Sequence, residues 1–316
     1  MQKSISIVIP IHNEEENIPL IYRAVESALR QLPAYAHEVI FVNDGSIDGS
    51  QKIIDTLSAK DSTVRGIEFT RNFGKEAATT AGIRKATGDA VICIDADLQH
   101  PPALIPEFVK HWENGAEVVV GMRSSNQGEG VVKRYGSKLF YAIMSRISET
   151  DITPGETDFR LLDRSVVEAF SELNERGRTT RLLINWLGFK KATVSFAAPA
   201  RANGDARYSF SKLFHLALNS LTANTLFPLR AAGYLGLVIA GSSFLLALAV
   251  FIEQYIFGDA LSWHFTGAAQ IAILNAFLIG VVLMALGVIA IYVGRTSEEV
   301  SRRPLYVVRK SHREKQ

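Results

Sequence analysis

The chain has 316 residues, 47% of them apolar, enough for one large domain with a smaller second part and too apolar for a disordered chain. A formal net charge of +2 leaves no electrostatic footprint for nucleic acid. The lone Cys93, inside the apolar run 90–94, excludes an intrachain disulfide framework and a Cys-rich metal cage and reads as core.

In chain order, residues 5–11 form a short apolar run that meets Pro10 and then His12-Asn13-Glu14-Glu15-Glu16, without the cleavage pattern of a secretory leader. The first domain is therefore expected to stay in the cytosol. Apolar, β-rich runs predict strands over 4–9, 38–42, 64–69, 90–94 and 117–120. Amphipathic stretches between them predict helices over 15–31, 50–59, 75–86 and 102–112, the last opened by Pro101-Pro102. Alternation of this kind points to a mostly parallel sheet covered by helices, an α/β nucleotide-binding domain. Ligands of such sheets bind beyond the carboxyl ends of the strands, and the polar clusters 12–14, 43–46, 95–99 and 121–123 fall there.

Composition changes near Leu229. Residues 231–252 and 267–294 carry no charge, and each run is long enough to cross a hydrocarbon core of about 30 Å. A pair of buried core helices is the alternative, but two long runs with no charged face leave no surface for water, so two transmembrane helices are expected. From Arg295 onward seven Lys/Arg stand against three Glu, whereas the connection 253–266 has Glu253 and Asp259 and no Lys or Arg. That bias sets both termini on the cytoplasmic side, with Tyr255, Phe257, Trp263 and Phe265 suited to an interfacial belt. Ahead of the spans, 208–227 repeats apolar residues at helical spacing (Phe210, Leu213, Phe214, Ala217, Leu218, Leu221). Such a helix lies on a bilayer surface or packs on the first domain, and the spacing fits both.

Asp95-Ala96-Asp97-Leu98-Gln99 follows the apolar run 91–94 and projects two carboxylates and an amide from a strand end. Hard oxygen ligands suit Mg²⁺ or Mn²⁺ bridging to substrate phosphates. Alone, the pattern is equally a solvated turn. It stands, however, in an ordered series: Pro10-Ile11-His12-Asn13-Glu14-Glu15, Val42-Asn43-Asp44-Gly45-Ser46-Ile47-Asp48, Arg71-Asn72-Phe73-Gly74-Lys75, Asp95 to Pro102, and Thr157-Asp158-Phe159-Arg160-Leu161-Leu162. The series, in this order and with the two apolar runs behind it, resembles the family 2 glycosyltransferases, within them the polyprenyl-phosphate sugar transferases, over almost the whole chain.

The resemblance implies a GT-A (Rossmann-like) fold, a nucleotide-sugar donor, a divalent cation, Mg²⁺ or Mn²⁺, and inversion at the anomeric carbon. It assigns Pro10, His12, Glu14, Asp44, Asp95, Ala96 and Arg123 to the nucleotide and its phosphates, and Asp95, Asp97 and Gln99 to the metal. His12 departs from the Tyr or aliphatic residue usual in the family. Arg201 and Arg207 match the ends of the family's Arg-x-x-Gly-x-Ser-Lys pattern, with Ala206 replacing its Ser and Arg207 its Lys. Asp158 takes the catalytic-aspartate position. By position alone, Glu14 is also a helix-start carboxylate, Asp44 a turn residue before Gly45, Arg123 a surface arginine, and Arg201 and Arg207 basic residues near anionic lipid.

The expected organisation is a cytoplasmic catalytic domain over 1–207, an amphipathic juxtamembrane region over 208–228, two spans with a short loop over 229–294 and a basic cytoplasmic tail over 295–316. The expected reaction moves one sugar, by family weight glucose from UDP-glucose, to undecaprenyl or another polyprenyl phosphate at the cytoplasmic membrane face. A processive polysaccharide synthase is the nearest rival, but two spans enclose little channel and no Gln-x-x-Arg-Trp motif is present. A non-catalytic adaptor is disfavoured by the intact Asp95 and Asp97, and a transporter by spans without charge. Gly236, Gly241, Gly280 and Gly287 offer surfaces for helix packing, which leaves a homo-oligomer open.

Overall fold

Strand β1 (Ser4–Ile11) carries four isoleucines and a valine in eight residues, and five consecutive positions, 5–9, are fully buried. Continuous rather than alternating burial is the mark of a strand covered on both faces. The same holds for β2 (Ala36–Asn43) over 39–43 and for all of β4 (Ala90–Cys93). β3 (Val64–Glu68) lies at the sheet edge, and β5 (Val118–Arg123), β6 (Glu156–Asp163) and β7 (Lys191–Phe196) complete a seven-stranded sheet in the order β3-β2-β1-β4-β6-β5-β7. Strands β1 to β4 are mutually parallel, β6 runs antiparallel to β4 and β5, and β7 is parallel to β5. This is the mostly parallel, GT-A-like α/β sheet expected.

The structure, a computed structural model, describes residues 2–123, 155–173, 175, 179–197, 238, 241, 242, 245, 252, 267–300 and 303–309. The chain divides into two compact units, Met1–Arg207 with Arg303–Gln316, and Tyr208–Arg302.

In the first unit, helix α1 (Ile18–Leu29) begins with Pro19, whose missing N–H costs nothing in a first turn, and buries Ile18, Ile21, Val25 and Ala28 at three- and four-residue spacing. It joins α2 (Ser50–Lys60) and α4 (Ile105–Glu113) over one face of the sheet, against Ile5, Ile7, Ile9 and Phe41. On the other face α3 (Lys75–Lys85), α5 (Arg164–Glu172) and α6 (Thr180–Trp186) cover Val8, Ile40, Val42 and Val91. α3 approaches closely because Ala78, Ala81 and Gly82 present almost no side chain to the strands.

The predicted strands 1 to 5 and the four helices are present with shifted ends. The helix over 15–31 starts only at Ile18, and that over 102–112 is a 3₁₀ turn, Pro102–Leu104, followed by α4. Strands β6 and β7 had no counterpart among the predicted elements.

In the second unit, α7 (Gly267–Val300) continues six residues past the charge-free run into Arg295–Val300. Its Phe277–Gly294 window, mean hydropathy 2.6, is the one segment among the described residues long and apolar enough to cross a membrane. The expected first span, 231–252, lies outside the described residues except for Val238, Gly241, Ser242, Leu245 and Ile252, which are helical. The amphipathic stretch 208–227 also lies outside them.

Phe159 on β6 is fully buried, 4.3 Å from the ring of Phe108 and 5.7 Å from that of His100. Phe159→Ala is expected to cost about 3–5 kcal/mol of stability, read from urea denaturation followed by circular dichroism.

Candidate active site

Because β1, β2 and β4 are parallel neighbours, their carboxyl ends reach one edge of the sheet, and a cleft of about 290 Å³ opens there. Pro10, His12 and Glu14 enter it from the end of β1, Asp44 from β2, and Asp95, Ala96 and Asp97 from β4. Seven sequence-predicted residues thus share one cavity. The loop between β3 and α3 adds Asn72, Gly74 and Lys75.

The loops that line the cleft are fastened to each other. Asp44, only 2% exposed, accepts the backbone N–H groups of Phe73 (2.7 Å) and Gly74 (2.9 Å) on its two carboxylate oxygens. Its hydrogen bonds therefore hold the β3–α3 loop while its side chain borders the cleft. Gly45, with φ +62°, lets that loop come close: a Cβ here would stand 2.6 Å from the backbone nitrogen of Asn72. In one tautomer the His12 ring serves two loops at once, Nδ1–H donating to the Asp44 carbonyl (3.0 Å) and Nε2 accepting from the Asn72 amide (3.0 Å). Glu14 does not start the helix, which begins at Ile18; it precedes it in a turn, its carbonyl accepting from Asn17 and Ile18 and its carboxylate from the Asn17 amide at 2.6 Å. It lines the cleft.

The Asp-x-Asp turn is strained. Leu98 sits at φ +59°, a left-handed conformation that a branched side chain resists, and Asp97 Oδ1 accepts from the Gln99 N–H at 3.1 Å across it. The Gln99 side-chain nitrogen is buried and has no hydrogen-bond partner among the described residues.

Asp158 reaches the same place through β6. The antiparallel register pairs Cys93 with Arg160, so two residues further along each strand Asp95 comes opposite Asp158. Lys75, the first residue of α3, fills the gap: its Nζ lies 2.7 Å from Asp95 Oδ1 and 2.8 Å from Asp158 Oδ2. Burial alone would raise the Asp158 carboxyl, but the charges of Lys75, then Arg181 and Arg160, outweigh it and hold the group below the usual carboxylate range. Burial likewise works against the Lys75 ammonium, and Asp95 and Asp158 overcome it and keep the group charged beyond its ordinary range. Lys75 is a site residue that the sequence does not single out by itself. Its signal was its place at the end of Arg71-Asn72-Phe73-Gly74-Lys75, where a strand-end loop turns into a helix.

Beneath Asp158 lies a frame of buried charge. Glu156, 7% exposed, accepts from Arg160 and Asn185 (2.9 Å each) and from Lys191 (2.5 Å), and its carbonyl accepts from Arg181 at 3.1 Å. This ties β6 to β7 and α6 two residues from Asp158. Cys93 is inert, its buried thiol pushed up to about 12.

Among the described residues no three His, Cys, Asp or Glu side chains gather to hold a metal by themselves. Asp95 and Asp97 nevertheless fit a Mg²⁺ or Mn²⁺ ion that takes its remaining oxygens from water and a diphosphate, the usual arrangement for such ions. Arg123, at the exposed end of β5, hydrogen-bonds through its backbone to Gly155 and does not border the cleft. Arg201 and Arg207 lie outside the described residues.

Residues 6–170 match the family described as Glycosyl transferase family 2. The chain belongs to that family, and the protein is a glycosyltransferase. It is similar to the SfII prophage-derived bactoprenol glucosyl transferase of Shigella flexneri, 39% identical over 309 residues that make up 98% of each chain. It is also 38% identical over 306 residues to the prophage bactoprenol glucosyl transferase homolog of Escherichia coli strain K12, covering 97% of this chain and 98% of that one. Among solved structures it is similar to a mannosyltransferase from Pyrobaculum calidifontis in complex with GDP-Man and Mn²⁺, with a TM-score of 0.46, 17% identity and coverage of 90% and 88%.

Three carboxylates outside the cleft, Glu156 buried and Glu38 and Asp163 half-buried, should make the fold acid-sensitive. Burial opposes ionisation of Glu38, Glu156 and Asp163, but hydrogen bonds from Ser6 and Thr87, from Asn185 and Lys191, and from Ser165 and Trp112 respectively hold each below its ordinary range. The unfolded chain therefore binds more protons as pH falls through about 4, so their contribution is complete above about pH 5 and is lost below it. Melting midpoints measured from pH 7 to pH 3 should drop steeply below about pH 4.5, and Glu156→Gln should flatten that drop.

Proposed function

We propose that the protein transfers one glucose from UDP-glucose, with inversion, to a polyprenyl phosphate at the cytoplasmic face of a membrane. The observation that carries this reading is Lys75, which bridges Asp95 of the strand-end cleft to Asp158 of the adjoining cavity, with Asp97 lining the cleft beside Asp95. A family 2 chain whose relatives along nearly its full length are bactoprenol glucosyl transferases supports the acceptor and the sugar.

In this reading Pro10, His12, Glu14, Asp44 and Ala96 shape the seat of the nucleotide. Asp95 and Asp97, with Gln99 beside them, hold Mg²⁺ or Mn²⁺, which when bound supplies positive charge to the leaving diphosphate. Arg201 and Arg207 contribute further positive charge to phosphates. An oxygen of the acceptor phosphate attacks the anomeric carbon. The new C–O bond forms as the old one breaks on the opposite face, and the bonding pair leaves with the nucleoside diphosphate, through a transition state of oxocarbenium character.

No strong base is required, because a phosphomonoester with a second pKa of about 6 is largely dianionic near neutral pH. Asp158, ionised and bound to Lys75, suits this division of labour: its depressed basicity makes it a group that positions the acceptor and Lys75 rather than one that collects a proton. The apolar helix α7, with residues 231–252 as a second span and 208–228 on the bilayer surface, holds the cleft near lipid headgroups. An acceptor confined to the bilayer then meets the cleft at raised effective concentration. Both termini lie in the cytoplasm in this arrangement.

Detergent-solubilised protein offered radiolabelled UDP- and GDP-sugars with undecaprenyl phosphate should label the lipid from UDP-glucose, and EDTA should abolish the label. Asp97→Ala should remove activity, and Asp158→Asn should lower turnover roughly a hundredfold in a folded protein. Label from a GDP-sugar alone would overturn the donor; no label from any donor would overturn the reaction.

A further inference from the structure

The sheet edge next to the cleft is covered by the far end of the chain. Where β3 ends and the 69–75 loop begins, Tyr306–Arg309 runs antiparallel alongside: Val308 pairs with Phe69, the Thr70 N–H donates to the Val307 carbonyl at 3.0 Å, and the Arg309 N–H donates to the Glu68 carbonyl at 2.7 Å. The Arg309 guanidinium adds an exposed ion pair with Glu68 at 3.3 Å. Below the strand, the Tyr306 ring lies flat on fully buried Phe69, centroids 4.9 Å apart and planes within 8°. Phe69 in turn meets Phe73 edge-on at 5.7 Å, and the Arg71 guanidinium stands 4.2 Å over Phe73. Five residues separate Val300, the end of α7, from Tyr306.

We propose that Tyr306–Arg309 is a positioning segment for the transfer reaction: it fixes the outer side of the 69–75 loop and thereby places Asn72 against His12 and Lys75 between Asp95 and Asp158. Besides the His12–Asn72 contact, the loop is held from two sides. From the inside Asp44 grips Phe73 and Gly74, and from the edge the C-terminal segment grips Phe69 and Thr70. An edge strand presents unpaired N–H and C=O groups, and an added strand satisfies them with main-chain bonds that depend little on side-chain identity. Tyr306 supplies what the backbone bonds do not, a broad apolar cover for Phe69 that sets the depth of the loop. With one hold gone the domain keeps its core, but the Lys75 ammonium loses its fixed station. A displacement of about 1 Å in a catalytic array costs up to roughly a hundredfold in rate.

The proposal rests on the sugar-transfer reading for its kinetic readout and stands apart from it for its structural one. The full-length chain in detergent carries Tyr306→Ala, Tyr306→Phe or Arg309→Pro, the last removing the N–H that donates to Glu68 from an exposed residue. Amide hydrogen exchange over 69–75, and turnover at saturating substrates, are then read for each. Tyr306→Ala and Arg309→Pro should speed exchange in 69–75, leave exchange in β1 and β4 unchanged and cut turnover ten- to a hundredfold, and Tyr306→Phe should match the unaltered chain in both. Unaltered exchange and turnover in the first two variants would overturn the proposal, and so would faster exchange throughout β1 and β4, which would make the segment merely structural. If the unaltered chain transfers no sugar from any donor, the sugar-transfer reading fails, and exchange over 69–75 still decides the positioning role.

Discussion

Three carboxylates at the ends of neighbouring strands repel each other strongly in a partly buried cleft unless a cation stands among them. Here Lys75 stands 2.7 Å from Asp95 and 2.8 Å from Asp158, and most of the surrounding structure serves to put it there. The antiparallel register of β6 against β4 brings the two aspartates opposite each other. The small residues of α3 let its first turn sit down on the sheet, and the 69–74 loop, held by Asp44 and by the C-terminal segment, delivers Lys75 to the gap.

That arrangement joins two cavities. Asp95 and Asp97 face the larger cleft, whereas Asp158 faces a smaller cavity lined also by Arg160 and Arg181. Lys75 borders both. A positive charge at the boundary pairs with both aspartates and holds the Asp158 carboxyl below its usual range, so the electrostatics are set before substrate arrives. The buried Glu156 frame serves the same end by removing freedom from β6, since a charged side chain so near the reacting groups is useful only while it stays in place.

The first half of the fold was legible because β1, β2 and β4 are buried on both faces and read as unbroken apolar runs, each followed by the polar residues of the cleft. His12, Glu14, Asp44, Asp95 and Asp97 could be grouped on that ground, which also drew in Arg123 from outside the cleft; Pro10 and Ala96 came from the family resemblance. β6 was not legible as a strand: Glu156, Asp158 and Arg160 interrupt it with charge that only the folded frame satisfies, so Asp158 was recognised by motif and not by its register with Asp95. β7 alternates in part but is short and borders the sheet. Lys75 was hidden by its own position, a helix-start lysine being an ordinary surface residue until its partners are known. The C-terminal segment offered no local signal, because Tyr306 and Phe69 are distant in sequence and a basic tail after an apolar run reads first as a charge that orients a membrane span.

If the Lys75 ammonium organises the site, a neutral side chain of similar length in its place disables it. Turnover of Lys75→Met, measured in the full-length chain against the unaltered protein, with circular dichroism to show that both are folded, should fall roughly a hundredfold or more. Unaltered turnover in folded Lys75→Met would show that the ammonium does not organise the site.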